Sequence, residues 1–463
     1  MTRRDHTREG LVGSLLVLAL PLLLQSSVQA IVFQLGELRL LARLGEEATT
    51  AVIVTNQSLR QVVMMTVMGA SFGAAGLVAR AMGGGRVAEA EHVAGQVVFL
   101  GLALGALLAV AGTAAGPALL ARMQVAPEVL ELGTPYVRLV FLLSFLFIFP
   151  ILFGSLLSAA GDGATPVAIS LLQAPISLVA EWCLIFGHLG LPRLGVSGVA
   201  LGLAVGQAVA LGLGLRVLFR GSSRVHLRLR HLRPDPEVLR RIAALAWPPA
   251  LQMLGGFLVT VAFLRLAGGL GATAQAAYSI GLRLGMIGPQ LAFPLAGACA
   301  TLVGQALGSG SRRRAWRAFA VGLAAHAGVL WSVGGVFAVF REPIVAAFAD
   351  DPEVIRIGGE LLLYQAGIFG FWGIFFVVFR CLQAAGDVLV PMAASLGTSI
   401  LVTLPLGHAL AVGRGLGPTG LFVASLVGAG VVTAATALWF ATGRWTRRAP
   451  RPLHGGAKGD PPG

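Results

Sequence analysis

Long hydrophobic runs alternate with short polar or arginine-rich segments from Leu11 to Thr442. A helix needs about 20 mainly apolar residues to cross roughly 30 Å of hydrocarbon, and twelve runs reach that length. The predicted spans are 11–37, 48–70, 92–115, 135–158, 166–187, 195–219, 242–265, 276–300, 316–340, 358–384, 389–412 and 418–442. The pattern predicts an all-α integral membrane protein with twelve transmembrane helices.

The composition supports this interpretation and the charge distribution gives the helices a direction. Only 12% of the 463 residues are charged, about half the usual fraction in soluble domains. Arginines, which dominate the net charge of +14, gather before span one and after spans two, six, eight and twelve. All of these segments lie on one side if the spans alternate, so the positive-inside rule places both termini in the cytoplasm. The basic charge therefore reflects membrane topology, and we expect no nucleic-acid partner.

An internal repeat divides the chain into halves. The pattern Leu-x-Ala-Ala-Gly-Asp occurs at Leu157 and again at Leu382, an offset of 225 residues (382 − 157), and Pro-Glu-Val recurs from Pro127 to Pro352 at the same offset. Repetition at a fixed spacing indicates duplicated architecture. Each half holds six spans, an even number, so the two bundles are parallel repeats. Transporters of this design bind substrate in a central cleft and expose it to alternate sides by rocking.

The domain organisation follows from the spans and the repeat. It comprises a cytoplasmic N-terminus at 1–10, a first six-helix lobe at 11–219, a basic cytoplasmic linker at 220–241, a second six-helix lobe at 242–442 and a disordered cytoplasmic tail at 443–463.

Two glutamates stand out as charged groups inside the predicted spans. Of the 20 acidic residues, only Glu37 and Glu181 lie clearly within spans, where a charge is costly and usually functional. Glu181 lies 15 residues beyond Pro166, or about 22 Å along a helix, and Glu37 falls at a similar depth. Two carboxylates sharing one bundle suit proton uptake and release. The alternative is that each glutamate is a structural partner for an arginine.

Span two is unusually polar for a membrane helix and contains Asn56, Gln57, Arg60 and Gln61. These side chains are candidates to line the cleft, with Arg60 as the counter-ion of Glu37 or Glu181. An equally weighted interpretation is that Arg60 forms an ion pair only for folding. Arg283 occupies the matching place in the second half and completes the candidate set, although a structural role is favoured for it.

Other classes of chemistry find no support in the sequence. The chain has no phosphate-binding Gly-x-x-x-x-Gly-Lys-Ser/Thr motif, and its one lysine is Lys458. The eight histidines are scattered over loops and span ends, and the cysteines Cys183, Cys299 and Cys381 lack metal-ligand spacing. We expect no enzyme activity, no cofactor and no metal site.

Several motifs resemble the multidrug and toxic compound extrusion (MATE) family. They are Leu18–Pro21, Leu41–Gly45, Gly195–Gly198, Ala298–Gly310 and Leu382–Asp387, in the family's order and spacing. The resemblance implies an antiporter with two six-helix lobes that expels amphipathic, often cationic compounds in exchange for protons or sodium ions. It further implies a small-molecule substrate. The high Arg, Ala and Gly content with almost no Lys suggests a bacterial genome, and we expect a monomeric, multi-pass protein of the bacterial inner membrane.

The resemblance also assigns roles to single positions. The family's aspartates in spans one and five correspond to Glu37 and Glu181 here, and the asparagine one turn before the second aspartate corresponds to Ser177. Carboxylates known from spans seven and ten of the family are replaced by Gly256 and Trp372. Coupling is therefore expected in the first lobe only, and the loss of the asparagine favours protons over sodium.

Two further functions compete with drug or metabolite export. A flippase for a lipid-linked saccharide or peptidoglycan precursor would need basic residues in the cleft, and Arg60 and Arg283 are the candidates. A membrane receptor or assembly factor is disfavoured because no sizeable soluble domain is present.

Overall fold

A computed structural model describes residues 10–28, 34–56, 60–123, 126–221 and 223–447. The regular structure within these ranges is helical throughout. The helices of the first half are α1 Leu11–Val28, α2 Gln34–Ala42, α3 Glu46–Thr55, α4 Gln61–Gly83, α5 Val87–Arg122, α6 Pro127–Leu142, α7 Ser144–Ala159, α8 Ala164–Phe186 and α9 Val196–Arg220. Those of the second half are α10 Pro236–Gly269, α11 Ala272–Gly285, α12 Ile287–Gly308, α13 Arg312–Val339, α14 Arg341–Ala346, α15 Pro352–Ala385, α16 Leu389–Thr398, α17 Leu404–His408 and α18 Gly417–Ala441.

The lengths of these helices support the predicted membrane architecture. Among the described residues, nine helical segments are long and apolar enough to span a membrane, and the α6–α7 pair makes ten if it counts as one bent span. The two other predicted spans, 11–37 and 48–70, each fall on two shorter helices, α1 with α2 and α3 with α4. The chain is thus an all-α, multi-pass membrane protein, and its helices match the twelve-span pattern.

Several predicted spans are not single regular helices. In span two, π-helical turns occur at Asn56, after α3, and at Arg60, before α4, and residues 57–59 lie outside the described ranges. Span four bends by 49° between α6 and α7, where the Ser144 hydroxyl donates to the Gly105 carbonyl (3.2 Å). Span one is divided between α1 and α2, and residues 29–33 lie outside the described ranges. Span eleven keeps its length but contains π-helical turns at Ser399–Thr403 and Ala409–Gly413.

The chain divides into two compact units. Leu20–Trp247 form most of the first unit, and the described part of the second unit comprises 10–19 and 248–447. The boundary lies between Trp247 and Pro248, inside α10. One core of the first unit joins α4, α5, α7 and the start of α10, and a core of the second joins α10, α11, α15 and α18.

The basic segment between the halves is held against α5. The Gln96 side-chain amide donates to the carbonyls of His231 (2.8 Å) and Arg233 (2.7 Å), and its oxygen accepts from the Asp235 backbone N–H (2.8 Å). The His92 ring lies 2.9 Å from the Asp235 carboxylate, which also accepts from the N–H of Glu237 at the start of α10. The described part of this linker is therefore fixed to the first unit.

The chain remains ordered slightly beyond the last span. Arg444–Thr446 form a 3-10 turn, and the buried Trp445 ring stacks on Phe440 with ring centroids 4.5 Å apart. The described structure ends at Arg447, five residues into the segment expected to be disordered, and 448–463 lie outside the described residues.

Candidate functional site

Glu181 lies in α8 inside the first unit and is completely buried, with a side-chain exposure of 0%. Neither carboxylate oxygen has a hydrogen-bond partner among the described residues. Buried polar atoms are nearly always hydrogen-bonded, so an exception of this kind requires an explanation.

Close packing of α9 on α8 is what encloses Glu181. Gly198, Gly202 and Gly206 recur every four residues along one face of α9. A Cβ atom at Gly202 would lie 2.5 Å from the Glu181 backbone nitrogen and Cα, and one at Gly206 would collide with the Ser177 hydroxyl. Small residues at this spacing let membrane helices approach backbone to backbone. The glycines therefore seal the α9 side of the glutamate.

Ser177 lies one turn before Glu181 on the same face of α8 and is also completely buried. The amide of Gln173 contacts the Ser177 hydroxyl at 3.4 Å. The structure thus places the predicted serine beside the glutamate, between α8 and α9.

Glu37 projects from α2, is half-buried, and interacts electrostatically with both Glu181 and Arg60. Its neighbour Gly36 packs on α8, where an added Cβ would lie 3.0 Å from the Leu178 side chain. The structure therefore brings the two predicted glutamates together within the first unit.

Span two contributes Asn56 and Arg60. The Asn56 amide oxygen accepts a hydrogen bond from the Tyr136 hydroxyl (3.1 Å), and Tyr136 is fully buried on α6. The Arg60 guanidinium carbon lies 4.9 Å from the centroid of the Phe147 ring, within the range of a cation–π interaction. Arg60 is therefore a half-buried cation between an aromatic ring and two carboxylates.

Of the remaining candidates, Gln57 lies outside the described residues, and Gln61 begins α4 without a described side chain. Arg283 is exposed on α11 of the second unit.

Three contributors were not anticipated from the sequence. Tyr136 and Phe147 contact polar residues of span two through tertiary packing, and no local signal marks either of them. Gly202 carries a signal, since it belongs to the four-residue glycine repeat of α9. Together with Glu37, Asn56, Arg60, Ser177 and Glu181, these three define what we call the first-unit site.

The histidine pattern also needs correction. The expectation that histidines occupy only loops and span ends fails at His326, which lies in the middle of α13 and is completely buried. Its Nδ1 is 2.9 Å from the Gly373 carbonyl oxygen on α15. The second unit thus holds a buried histidine within a span. Within the described ranges, His, Cys, Asp and Glu side chains form no group of three or more that could hold a metal.

Fold and site together define a class of protein: a helical, multi-pass membrane protein of duplicated design with two neighbouring glutamates, one of them fully buried, inside its first repeat. The MatE family profile matches residues 18–183 and 248–408, one match in each half. The chain belongs to the MatE family of multidrug efflux transporters, which is a family of transporters and not of enzymes.

Relatives and solved structures agree with this membership. The chain is similar to a probable multidrug resistance protein NorM of Thermotoga maritima, with 26% identity over 94% of this chain and 93% of the relative. It shares its fold with a MATE protein crystallised in a bent conformation (TM-score 0.86, 19% identity, 96% of this chain and 97% of the other). An equally similar fold (TM-score 0.86, 19% identity, 96% and 98%) belongs to a Pyrococcus furiosus MOP superfamily transporter, for which a reversed polarity of the binding pocket suggests a different function.

Proposed function

We propose that this protein is a secondary antiporter that exports amphipathic organic cations in exchange for protons. The observation that carries the proposal is Glu181, a fully buried carboxyl group without a hydrogen-bond partner among the described residues. Its electrostatic neighbours are Glu37 and Arg60. Such a group can hold either a proton or the charge of a cationic substrate, and mutually exclusive occupancy is the basis of antiport.

Charge arithmetic explains how the two ligands would compete. With both glutamates ionised, two carboxylates and the Arg60 guanidinium give the first-unit site a formal charge of minus one. A monovalent cation neutralises this site, and so does one proton. Protonation from outside therefore removes the attraction for the exported cation. Rocking between lobes, with both termini cytoplasmic in a bacterial inner membrane, would complete the cycle.

We favour protons over sodium because α9, the helix packed on Glu181, presents no side-chain oxygen to it. Hard metal ions are bound by several oxygen atoms at once, whereas a proton needs a single carboxylate oxygen. The helix face opposite Glu181 supplies Gly202, which has no side-chain oxygen, and the Ser177 hydroxyl is packed against Gly206. The site thus suits a proton better than a multiply coordinated metal ion.

We propose Arg60 as the counter-ion whose positive charge offsets the energetic cost of ionising Glu37 and Glu181 inside the first unit. Its position over Phe147 retains the guanidinium when one glutamate is protonated. This use of Arg60 within its own unit also weakens the flippase hypothesis, because a pyrophosphate lipid would need the same guanidinium. Arg283, the other candidate for that role, is exposed on the second unit.

Transport into liposomes tests the proposal directly. Purified protein is reconstituted into vesicles with an acidic interior, and uptake of the fluorescent cation ethidium is followed after addition outside. We expect the outward proton gradient to drive uptake in the parent and in Glu131→Gln, a control on the exposed face of α6. Glu181→Gln should show no gradient-driven uptake.

The alternatives give distinct results in the same assay. If only a sodium gradient drives uptake, the coupling ion is sodium and not the proton. Uptake that needs no gradient and is unaffected by Glu181→Gln would contradict antiport at this site. If no cation moves under any gradient, binding of a pyrophosphate lipid that disappears in the Arg60→Gln, Arg283→Gln double variant would support the flippase.

A further inference from the structure

Two cysteines meet inside the second unit. Cys299 on α12 and Cys381 on α15 are both completely buried, and their sulfur atoms lie 3.6 Å apart. Both are free thiols. The Cys299 sulfur also lies 3.5 Å from the Ala318 carbonyl oxygen on α13, so the pair stands where three helices join.

The sequence makes specific room for this pair. Gly322 on α13 faces Cys299, and an added Cβ there would lie 2.5 Å from the Cys299 Cβ. Any larger residue at this position would displace Cys299 from α13. The 82 residues that separate the two cysteines in sequence are therefore bridged by tertiary packing alone.

A buried cation lies beside the pair. The Arg380 guanidinium interacts electrostatically with the Cys381 sulfur, and it is oriented by a hydrogen bond to Gln383 (2.8 Å) and by the Phe293 ring (5.6 Å to the centroid). The pair thus consists of two adjacent sulfur atoms with a buried arginine side chain beside one of them.

Position and burial decide which reagents can reach the sulfurs. Cys381 lies four residues before the end of α15 at Ala385, about 6 Å along the helix axis. Among oxidants, a small uncharged molecule such as hydrogen peroxide is better suited to reach buried thiols than a bulky or charged disulfide.

We propose that Cys299 and Cys381 form a dithiol that hydrogen peroxide converts into an intramolecular disulfide between α12 and α15. One thiolate attacks a peroxide oxygen, the O–O bond breaks, and the departing hydroxide takes a proton to leave a sulfenic acid and water. The second sulfur then displaces the sulfenic oxygen as water and forms the S–S bond. Two thiols are oxidised and one peroxide is reduced to two waters.

The required movement is small. A disulfide bond is about 2.05 Å long, so the sulfurs must approach by about 1.5 Å from their present separation. The inference does not depend on the transported substrate or the coupling ion, and its readout is chemical.

Counting thiols tests the proposal. The purified protein is treated with peroxide in lipid nanodiscs, denatured and alkylated, and intact masses are measured with and without dithiothreitol. The chain has three cysteines, and we expect the parent to lose two alkylatable thiols and dithiothreitol to restore them. Cys183→Ser removes the lone buried cysteine of α8 and should retain the reaction, falling from two thiols to none.

Variants of the pair provide the decisive comparison. Cys299→Ala and Cys381→Ala should form no reducible cross-link, and in the parent a peptide map should join the segments that contain 299 and 381. Retention of all three thiols by the folded parent would overturn the proposal. So would a disulfide found only between two molecules, or one that persists in Cys299→Ala.

Discussion

Corresponding helix pairs in the two units are packed alike but carry different chemistry. In the first unit, Gly198 meets the backbone at Leu184 and Ile185, and Gly206 meets the Ser177 hydroxyl. In the second unit, Gly420 meets the backbone at Leu410 and Ala411, and Gly428 meets the Thr403 hydroxyl. The duplicated sequence therefore preserves the way in which the last two spans of each half approach each other.

The positions between these contacts differ. In the first unit Glu181 packs against Gly202. Counting from the matched glycine contacts, the corresponding residues of the second unit are Gly407 and Ala424. A Cβ at Gly407 would lie 2.5 Å from the Phe263 ring, so an aromatic side chain fills the space that a carboxylate takes in the first unit. The helix packing is thus retained in both repeats, whereas a glutamate occupies this position only in the first.

Removing the negative charge of Glu181 should have the largest effect on transport. Glu181→Gln keeps the size of the side chain but removes its ionisation, so we expect proton-driven uptake to fall to that of protein-free liposomes. Glu353→Gln, on an exposed salt bridge of the second unit, should transport like the parent. Equal losses in both variants would mean that the two units do not differ in function.

Closing the space beside Glu181 should have the next largest effect. Gly202→Ala puts a methyl group within 2.5 Å of the Glu181 backbone, and overpacking of this kind typically costs about 1–3 kcal/mol. Ala424→Gly, the reciprocal change in the second unit, removes a methyl group and should cost less. Thermal unfolding in detergent compares the two variants, and an equal or greater loss for Ala424→Gly would contradict the register drawn here.

Removing the internal cation should strengthen substrate binding. Arg60→Gln leaves two carboxylates without their counter-ion, so we expect ethidium to bind about tenfold more tightly, equivalent to about 1.4 kcal/mol. Arg60→Lys keeps the charge and serves as the control. Fluorescence titration at fixed pH measures both affinities, and weaker binding by Arg60→Gln would show that the guanidinium contacts the substrate or supports the fold.

The smallest effect concerns the linker and its dependence on pH. Burial lowers the pKa of His231, so the folded linker favours a neutral ring while the unfolded chain takes up a proton more readily. Stability is therefore greatest above the ordinary histidine pKa of about 6.5 and declines as the pH falls below it.

The hydrogen bond with His92 lowers the pKa of Asp235, and backbone donors at the start of α10 add to this effect. The ionised Asp235 therefore stabilises the folded linker above the ordinary aspartate pKa of about 4, and this stabilisation is lost only at lower pH. We expect the protection factors of the backbone amides in 225–235, which are already corrected for the intrinsic exchange rate at each pH, to decrease between pH 7.5 and 5.5. His231→Phe should abolish that decrease, and an unchanged pH response of the protection factors would contradict the assignment to His231.

Much of the architecture could be predicted from the sequence because membrane spans are recorded in local hydrophobicity. The twelve-run pattern, the 225-residue repeat and the two in-span glutamates need no knowledge of tertiary contacts. The π-helical turn at Asn56 and the bend near Leu143 could not be predicted, since they accompany contacts with Tyr136 and Gly105 that are distant in sequence. The role of Gly202 was likewise hidden, because a glycine in a membrane helix gains meaning only from the residue opposite it.

Contacts between helices that are distant in sequence were even harder to predict in the second unit. Cys299 and Cys381 looked like isolated residues of separate spans, and only packing brings their sulfurs into contact. The burial of His326 could not be recognised from the sequence because its span has no other unusual polar residue. Its hydrogen bond to the Gly373 carbonyl oxygen depends on the pairing of α13 with α15.

Proton release on substrate binding tests most directly whether exchange occurs at the first-unit site. Ethidium is added to purified protein in weakly buffered detergent near neutral pH, and a soluble pH indicator reports the protons released per bound cation. We predict release by the parent and by Glu353→Gln, and none by a folded Glu181→Gln variant. A parent that binds ethidium without releasing protons, or a Glu181→Gln variant that releases as many as the parent, would contradict exchange at Glu181.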